Sequence, residues 1–135
     1  MPSAEGNSMS DFDGDNGTSS PGRASPDIAF YQPMAGVTTR CGDLTALLDN
    51  GDFGQVEHTT QSAVNLWLTA RTACRRLGER EVIEDARQRL ESSYTALLEL
   101  LKRAHTLIDK HETRSVLDDL RITLVGAMTQ HLNGT

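Results

Sequence analysis

Apolar side chains recur every three or four residues in the second half of the chain, and this spacing predicts amphipathic helices. The longest such stretch runs over about residues 80–111 and contains neither glycine nor proline. Its heptad positions a and d are Ile83, Ala86, Leu90, Ser93, Leu97, Leu100, Ala104 and Leu107, and its e positions are Tyr94, Leu101 and Ile108. Because this stripe is wider than a two-stranded coiled coil requires, we expect a bundle helix with neighbours on two sides.

A second helix is predicted over about residues 52–77, just before the long one. Asp52 and Gln55 have the spacing of a capping box, and Gly78 is expected to end the helix in the left-handed conformation. The apolar stripe of this helix consists of Phe53, Val56, Thr60, Ala63, Trp67, Ala70, Cys74 and Leu77. Since the connection at Gly78 is short, the two helices are expected to pack antiparallel.

Two shorter helices complete the predicted bundle. The first covers about residues 43–49 and is followed by Asn50-Gly51, a pair that commonly ends helices. The last covers about residues 115–132 and is expected to direct inward Leu117, Leu120, Leu124, Met128 and Leu132. The expected fold is therefore all-α, a small antiparallel helical bundle or coiled-coil hairpin formed by residues 41–135.

Residues 1–40 have a different composition, rich in Ser, Gly, Asp, Pro and Ala, and prolines interrupt them at four positions. Such a segment buries too little apolar surface to offset its chain entropy, so we expect a disordered, acidic N-terminal tail. Residues 1–36 hold five acidic residues against one arginine, which accounts for −4 of the formal net charge of −6. Ser20 and Ser25 each precede a proline and are candidate phosphorylation sites in this tail.

Charge and hydropathy exclude several classes of function. Acidic residues outnumber basic ones by 19 to 13, which disfavours direct nucleic-acid binding as the main task. No stretch approaches the 18 consecutive apolar residues of a membrane span, so no membrane partner is expected. Cys41 and Cys74 stand in unlike contexts, which favours a reducing compartment over a disulfide framework.

The sequence offers little catalytic or metal-binding chemistry. Residues 11–15 copy the first ligand spacing of an EF-hand loop, but Asn16 and Gly22 stand where that loop needs glycine and glutamate. The four histidines are scattered without the spacing of a metal site. Cys74 lies on an apolar stripe, where burial raises the pKa of a thiol and makes it unreactive. We therefore expect no metal, no cofactor and no enzymatic activity.

Four arginines between residues 71 and 80 form a basic cluster at the end of the second predicted helix. Four acidic residues between positions 79 and 85 lie next to them and largely cancel their field, so a solvated surface with ion pairs is the favoured interpretation. An acidic protein partner stays open as the alternative.

Two of the predicted helices carry a recognisable order of polar and apolar residues. The predicted helix at 52–77 contains residues 55–59 (QVEHT) and 63–66 (AVNL). The long helix at 80–111 contains residues 83–93 (IEDARQRLESS), Leu97, Leu100 and Asp109-Lys110. This order resembles the two helices of the Mediator subunit 30 family, in which a low-complexity N-terminal region precedes a helix, a connection and a longer helix. The connection here, at about four residues, is shorter than the family pattern.

The resemblance implies a structural subunit of Mediator, the nuclear coactivator complex of RNA polymerase II transcription. Its partners would be other protein subunits, bound by helix packing in a hetero-oligomer. A second interpretation also fits the helical pattern: a small cytoplasmic adaptor or chaperone that binds a single client protein.

The predicted helix lengths indicate where a partner would bind. The last helix, about 27 Å long, can return along only about half of the long helix of about 48 Å. The uncovered half would keep an apolar groove for a helix from another chain. The residues predicted to line this partner site are Trp67, Ala70, Cys74, Ile83, Ala86 and Leu90.

Overall fold

A computed structural model describes residues 26–133 of the chain, which form four helices and contain no strand. Helix α1 spans Pro26–Asn50, α2 spans Val56–Cys74, α3 spans Arg80–Leu107 and α4 spans His111–Asn133. The expected all-α fold is confirmed. The predicted tail over residues 1–25, with the EF-hand-like aspartates and the two candidate phosphorylation sites Ser20 and Ser25, lies outside the described residues.

Helix α1 departs most from the sequence prediction, which placed residues 1–40 in the tail and a helix only at 43–49. It runs without interruption for 25 residues, so the prediction of disorder is wrong from residue 26 onwards. Its apolar side chains follow a strict alternation of four and three residues: Phe30, Met34, Val37, Cys41, Leu44 and Leu48. All of these are buried except the half-buried Cys41, so packing against the other helices offsets the unfavourable local composition.

Proline and glycine in α1 are accommodated at specific points. Pro26 is the first residue of the helix, where a missing N–H removes no helical hydrogen bond. Pro33 lies inside the helix and cannot donate to the carbonyl of Ala29. A Cβ atom at Gly36 would lie 2.8 Å from Leu66 Cδ1, so the absence of a side chain at Gly36 allows α1 and α2 to approach closely.

The turn after α1 follows the predicted helix-ending signal. Gly51 has φ +70°, its amide donates to the carbonyl of Leu48 at 3.3 Å, and the amide of Asp52 donates to the carbonyl of Leu47 at 2.9 Å. These are the two hydrogen bonds of a Schellman motif. Two other predicted boundaries of α2 are wrong. At its start, Gln55 precedes the helix without a side-chain capping hydrogen bond, so the capping box is absent. After its end, Gly78 does not have the predicted positive φ.

Helices α2 and α3 form the central pair of the bundle. Within residues 26–133, α1 and α4 each pack against both α2 and α3 but not against each other. Side chains of α1 meet those of α3 at two points, Tyr31 with Asp85 and Asp49 with Arg103, and both pairs are separated by 54 residues along the chain. The constant separation means that α1 and α3 run parallel, as they must if consecutive helices are antiparallel.

The core is centred on α2, whose predicted apolar stripe is correct. Every member of that stripe from Val56 to Leu77 is buried, and Phe53 is half-buried. The indole N–H of Trp67 donates to the carbonyl of Leu90 at 3.1 Å, and the ring lies 6.1 Å from that of Tyr94. The one polar atom of the Trp67 side chain is thus satisfied inside the core.

The buried side of α3 is not the same at its two ends, because it shifts around the helix axis along the sequence. Leu90, Leu97 and the e residues Leu101 and Ile108 are buried as predicted, but the d residue Leu107 is 45% exposed. A straight α-helix drifts by about 20° per heptad, so a stripe at a and d moves towards e over three heptads. Helix α3 also ends at Leu107, where the prediction continued to residue 111, and α4 begins at His111 instead of residue 115.

The predicted inward face of α4 is correct in its first part. Leu117, Leu124 and Met128 are buried, and Leu120 is half-buried against the core. Leu132, predicted to point inward, is 57% exposed, and its neighbour His131 is buried instead.

Candidate interaction surface

The groove predicted as the partner site is closed by the chain itself. Five of its six predicted residues, Trp67, Ala70, Cys74, Ala86 and Leu90, are buried, and Ile83 is half-buried. The expectation of an open groove is therefore wrong. The prediction failed because it counted α1 as a short segment, whereas the first half of α1 is helical and contributes Phe30 and Met34 to the same core.

Polar contacts fasten the first half of α1 to α3. The Tyr31 hydroxyl donates to Asp85 Oδ2 at 2.5 Å, and Arg89 Nε donates to the same oxygen at 2.8 Å. The Arg89 guanidinium also lies 5.5 Å from the centre of the Tyr31 ring. The hydrogen bonds from Tyr31 and Arg89 lower the pKa of Asp85, so the carboxylate stays charged in this contact. At the other end of α1, Asp49 pairs with Arg103.

A cleft of about 470 Å³ lies between α3 and α4, on the flank that α1 does not reach. Its lining comprises Leu101, Lys102, His105, Thr106, Leu117, Asp118 and Arg121. Leu101 and Leu117 are buried, so they form an apolar floor beneath the polar side chains. A cleft with an apolar floor and a charged rim can receive an apolar side chain that has polar neighbours.

The charged groups around the cleft are only partly paired. Asp118 lies 3.4 Å from His105 Nε2, and Arg114 lies 3.4 Å from His105 Nδ1. Lys102 forms a 3.8 Å ion pair with Glu99, an exposed contact of the kind that contributes little. Within residues 26–133, the guanidinium group of Arg121 has no hydrogen bond or ion pair. The rim therefore presents cations that are available to a ligand.

Apolar side chains extend the cleft by about one helical turn. Ile122 follows Asp118 by four residues and is 63% exposed, and Val125 follows Arg121 by four and is half-buried. Leu98 precedes Lys102 by four residues on α3 and is also half-buried. Because α3 and α4 are antiparallel, Leu98 and Val125 lie in the same direction from the cleft. The cleft together with Leu98, Ile122 and Val125 is called the α3–α4 face.

The sequence prediction did not include this face. Its signal was present, since Ile122 and Val125 are apolar but do not fit the inward spacing of Leu117, Leu124 and Met128. An apolar residue off the inward stripe of a surface helix must face solvent or another molecule.

A different electrostatic environment surrounds His131, near the predicted basic cluster. Arg75, Arg76 and Arg80 are exposed, as predicted, but within residues 26–133 none of them forms the expected ion pairs. Two guanidinium nitrogens of Arg71 are buried without a hydrogen-bond partner. His131 is only 7% exposed. Burial lowers the pKa of His131, and the nearby charges of Arg71 and others lower it further.

We expect acidification below about pH 6.5, the ordinary histidine pKa, to destabilise the fold through His131. The unfolded chain takes up a proton at His131 before the folded chain does, because burial and then Arg71, Arg87 and Arg75 oppose the charge, outweighing Glu91. The contribution of His131 to the free energy of unfolding is complete above pH 6.5 and falls as the pH drops towards the lower pKa of the folded chain. Urea midpoints measured between pH 7.5 and pH 5.5, for the unmodified chain and for His131→Gln, test this. Equal pH dependence in the two proteins would contradict it.

The described residues contain few other chemical features. Burial raises the pKa of both the Cys41 and Cys74 thiols, as the sequence predicted for Cys74. Across residues 26–133, no group of three or more His, Cys, Asp or Glu residues is placed to hold a metal ion. None of the four described helices has the length and apolar content needed to cross a membrane. No protein-family model, curated protein or solved structure matches the chain, so the resemblance to Mediator subunit 30 gains no support from them.

Proposed function

We propose that the chain is a non-enzymatic helical interaction subunit, which binds another protein through the α3–α4 face. The observation that supports this is the cleft between α3 and α4, continuous with the exposed Ile122 and the half-buried Leu98 and Val125. An exposed apolar patch with a polar rim usually marks a binding site for another protein.

An α-helix of the partner fits the dimensions of this face. From Leu117 to Val125 the face follows α4 for about 12 Å, the rise of about two helical turns. One apolar side chain of the partner would enter the cleft above Leu101 and Leu117. A second, about one turn away, would pack on Ile122 and Val125. This is the spacing by which amphipathic helices present their apolar side chains.

Replacing Ile122 by aspartate is expected to reduce partner recovery by about tenfold or more, because a charge would be buried in the apolar part of the interface. The folded chain should lose no more than about 0.5 kcal/mol, since Ile122 is already 63% exposed. The measurement is quantitative mass spectrometry of proteins that co-purify with the tagged chain from its own cells.

Ile28→Asp is the matched control, because Ile28 is the same residue type with a similar exposure of 53% and lies on α1, which does not contact α4. Proteins kept by Ile28→Asp and lost with Ile122→Asp are partners of the α3–α4 face. If both variants retain the same proteins as the unmodified chain, the proposed face is wrong.

The narrower proposal, a structural subunit of Mediator in the nucleus, rests on the sequence resemblance in residues 55–66 and 83–110. Other Mediator subunits among the proteins that depend on Ile122 would support it. A single soluble client would support the cytoplasmic adaptor or chaperone instead.

A further inference from the structure

The charges around the cleft indicate the chemistry of the partner helix. Lys102 on α3 and Arg121 on α4 line opposite walls of the cleft, and both side chains are exposed. Within residues 26–133 the Arg121 side chain has no hydrogen bond or ion pair, and the Lys102 ammonium has only the long contact with Glu99. Both cations can therefore accept a new acidic partner without giving up a strong existing contact.

The carboxylates near the cleft do not reverse this balance. Asp118 faces His105 at 3.4 Å, and Arg114 lies on the other side of the same imidazole ring. Lys102, Arg114 and Arg121 thus stand against Asp118 and Glu99, three cations against two carboxylates. The surface is locally positive on a chain whose formal net charge is −6. Such a local reversal of sign attracts an acidic ligand and repels a basic one.

The apolar part of the face distinguishes a helix from a small carboxylate ligand. A small molecule held between Lys102 and Arg121 would fill the cleft alone and leave Ile122 exposed. A helix that places one apolar side chain in the cleft covers Leu98, Ile122 and Val125 with the next turn. The acidic residues that flank its apolar stripe then meet Lys102 and Arg121.

We propose that the α3–α4 face binds an acidic amphipathic helix, which sets an apolar side chain on Leu101 and Leu117 and places carboxylates beside Lys102 and Arg121. This assignment rests on the proposed function and adds the charge of the partner to it. Docking excludes water from the rim, so the ion pairs with the partner act in a lower dielectric than the exposed cations do now.

The test uses the full chain and two fluorescein-labelled helical peptides of about 15 residues. Both peptides carry leucines at helical spacing with alanines between them, and they differ only in having glutamate or lysine at the flanking positions. Fluorescence anisotropy titrations at low salt should give a Kd about tenfold lower for the glutamate peptide. The ratio between the Kd values of the two peptides should decrease as added salt screens the charges.

Charge-reversal variants locate the effect. Lys102→Glu combined with Arg121→Glu should reverse the preference between the two peptides. The matched control, Arg76→Glu combined with Arg80→Glu, makes the same change in net charge at exposed positions away from the face and should leave the preference unchanged. Circular dichroism of all the variants checks that they keep their helical content.

Three results would overturn the proposal. Binding of neither peptide, or a preference for glutamate that survives Lys102→Glu with Arg121→Glu, would remove the acidic helix as the ligand of this face. Equal binding of both peptides, abolished by Ile122→Asp, would overturn only the preference for acid and leave the proposed function standing. Loss of the proposed function itself would appear in the co-purification experiment with Ile122→Asp and Ile28→Asp.

Discussion

Phe30→Ala is expected to destabilise the folded chain by about 3–5 kcal/mol, although Phe30 lies in the segment that the sequence predicted to be disordered. The side chain is fully buried and meets the Tyr31 ring edge-on, with 4.9 Å between the ring centres. Its removal would leave a cavity between α1 and the central helices. In a small domain with about 5–15 kcal/mol of total stability, such a loss is a large fraction. Urea denaturation followed by far-ultraviolet circular dichroism measures it.

Gln32→Ala provides the control, since Gln32 is exposed on the same part of α1 and substitution there should change stability by no more than about 0.5 kcal/mol. A loss for Phe30→Ala as small as that for Gln32→Ala would mean that the first half of α1 is not part of the core. The predicted groove around Trp67 and Leu90 would then be open in solution.

The sequence was sufficient to predict α2, α3 and the identity of most core residues. The stripe of α2 is continuous from Val56 to Leu77, and the only tryptophan, Trp67, lies at its centre. Such a stripe defines both the helix and its buried face, because no other conformation brings residues of that spacing to one side. Prediction of the helix ends was weaker, as the absent capping bond at Gln55 illustrates.

Helix α1 was missed because composition was given more weight than spacing. The stretch from residue 26 to residue 42 contains two prolines, two glycines and two threonines, all poor helix formers. Yet Phe30, Met34 and Val37 begin a heptad pattern that continues unbroken to Leu48. Burial of that stripe against α2 and α3 outweighs the local propensities, which is a tertiary effect that a window of composition does not register.

The position of the candidate site depended on the missed helix. With the first half of α1 counted as tail, the lengths of the remaining helices left an apolar groove beside Trp67, and the partner site was placed there. With α1 in place, Phe30 and Met34 occupy that region and the open flank is the one between α3 and α4. Whether a predicted binding site is open or buried can therefore be judged only when every helix of the fold has been predicted. A surface residue such as Ile122 can be assigned to a binding face only once the buried faces of the helices are known.

Leu97→Ala is expected to destabilise the chain by about 2–5 kcal/mol, whereas Leu107→Ala should cost less than about 1 kcal/mol. Both leucines lie on the heptad stripe of α3, but Leu97 is fully buried and Leu107 is 45% exposed at the end of the helix. The difference arises because the buried stripe drifts from a and d towards e along α3, so that Ile108, the e residue beside Leu107, is buried instead. Trp67, the single tryptophan, reports unfolding by its fluorescence in urea. Comparable losses from the two substitutions would show that the stripe does not drift, and that Leu107 packs against α4 in the folded chain.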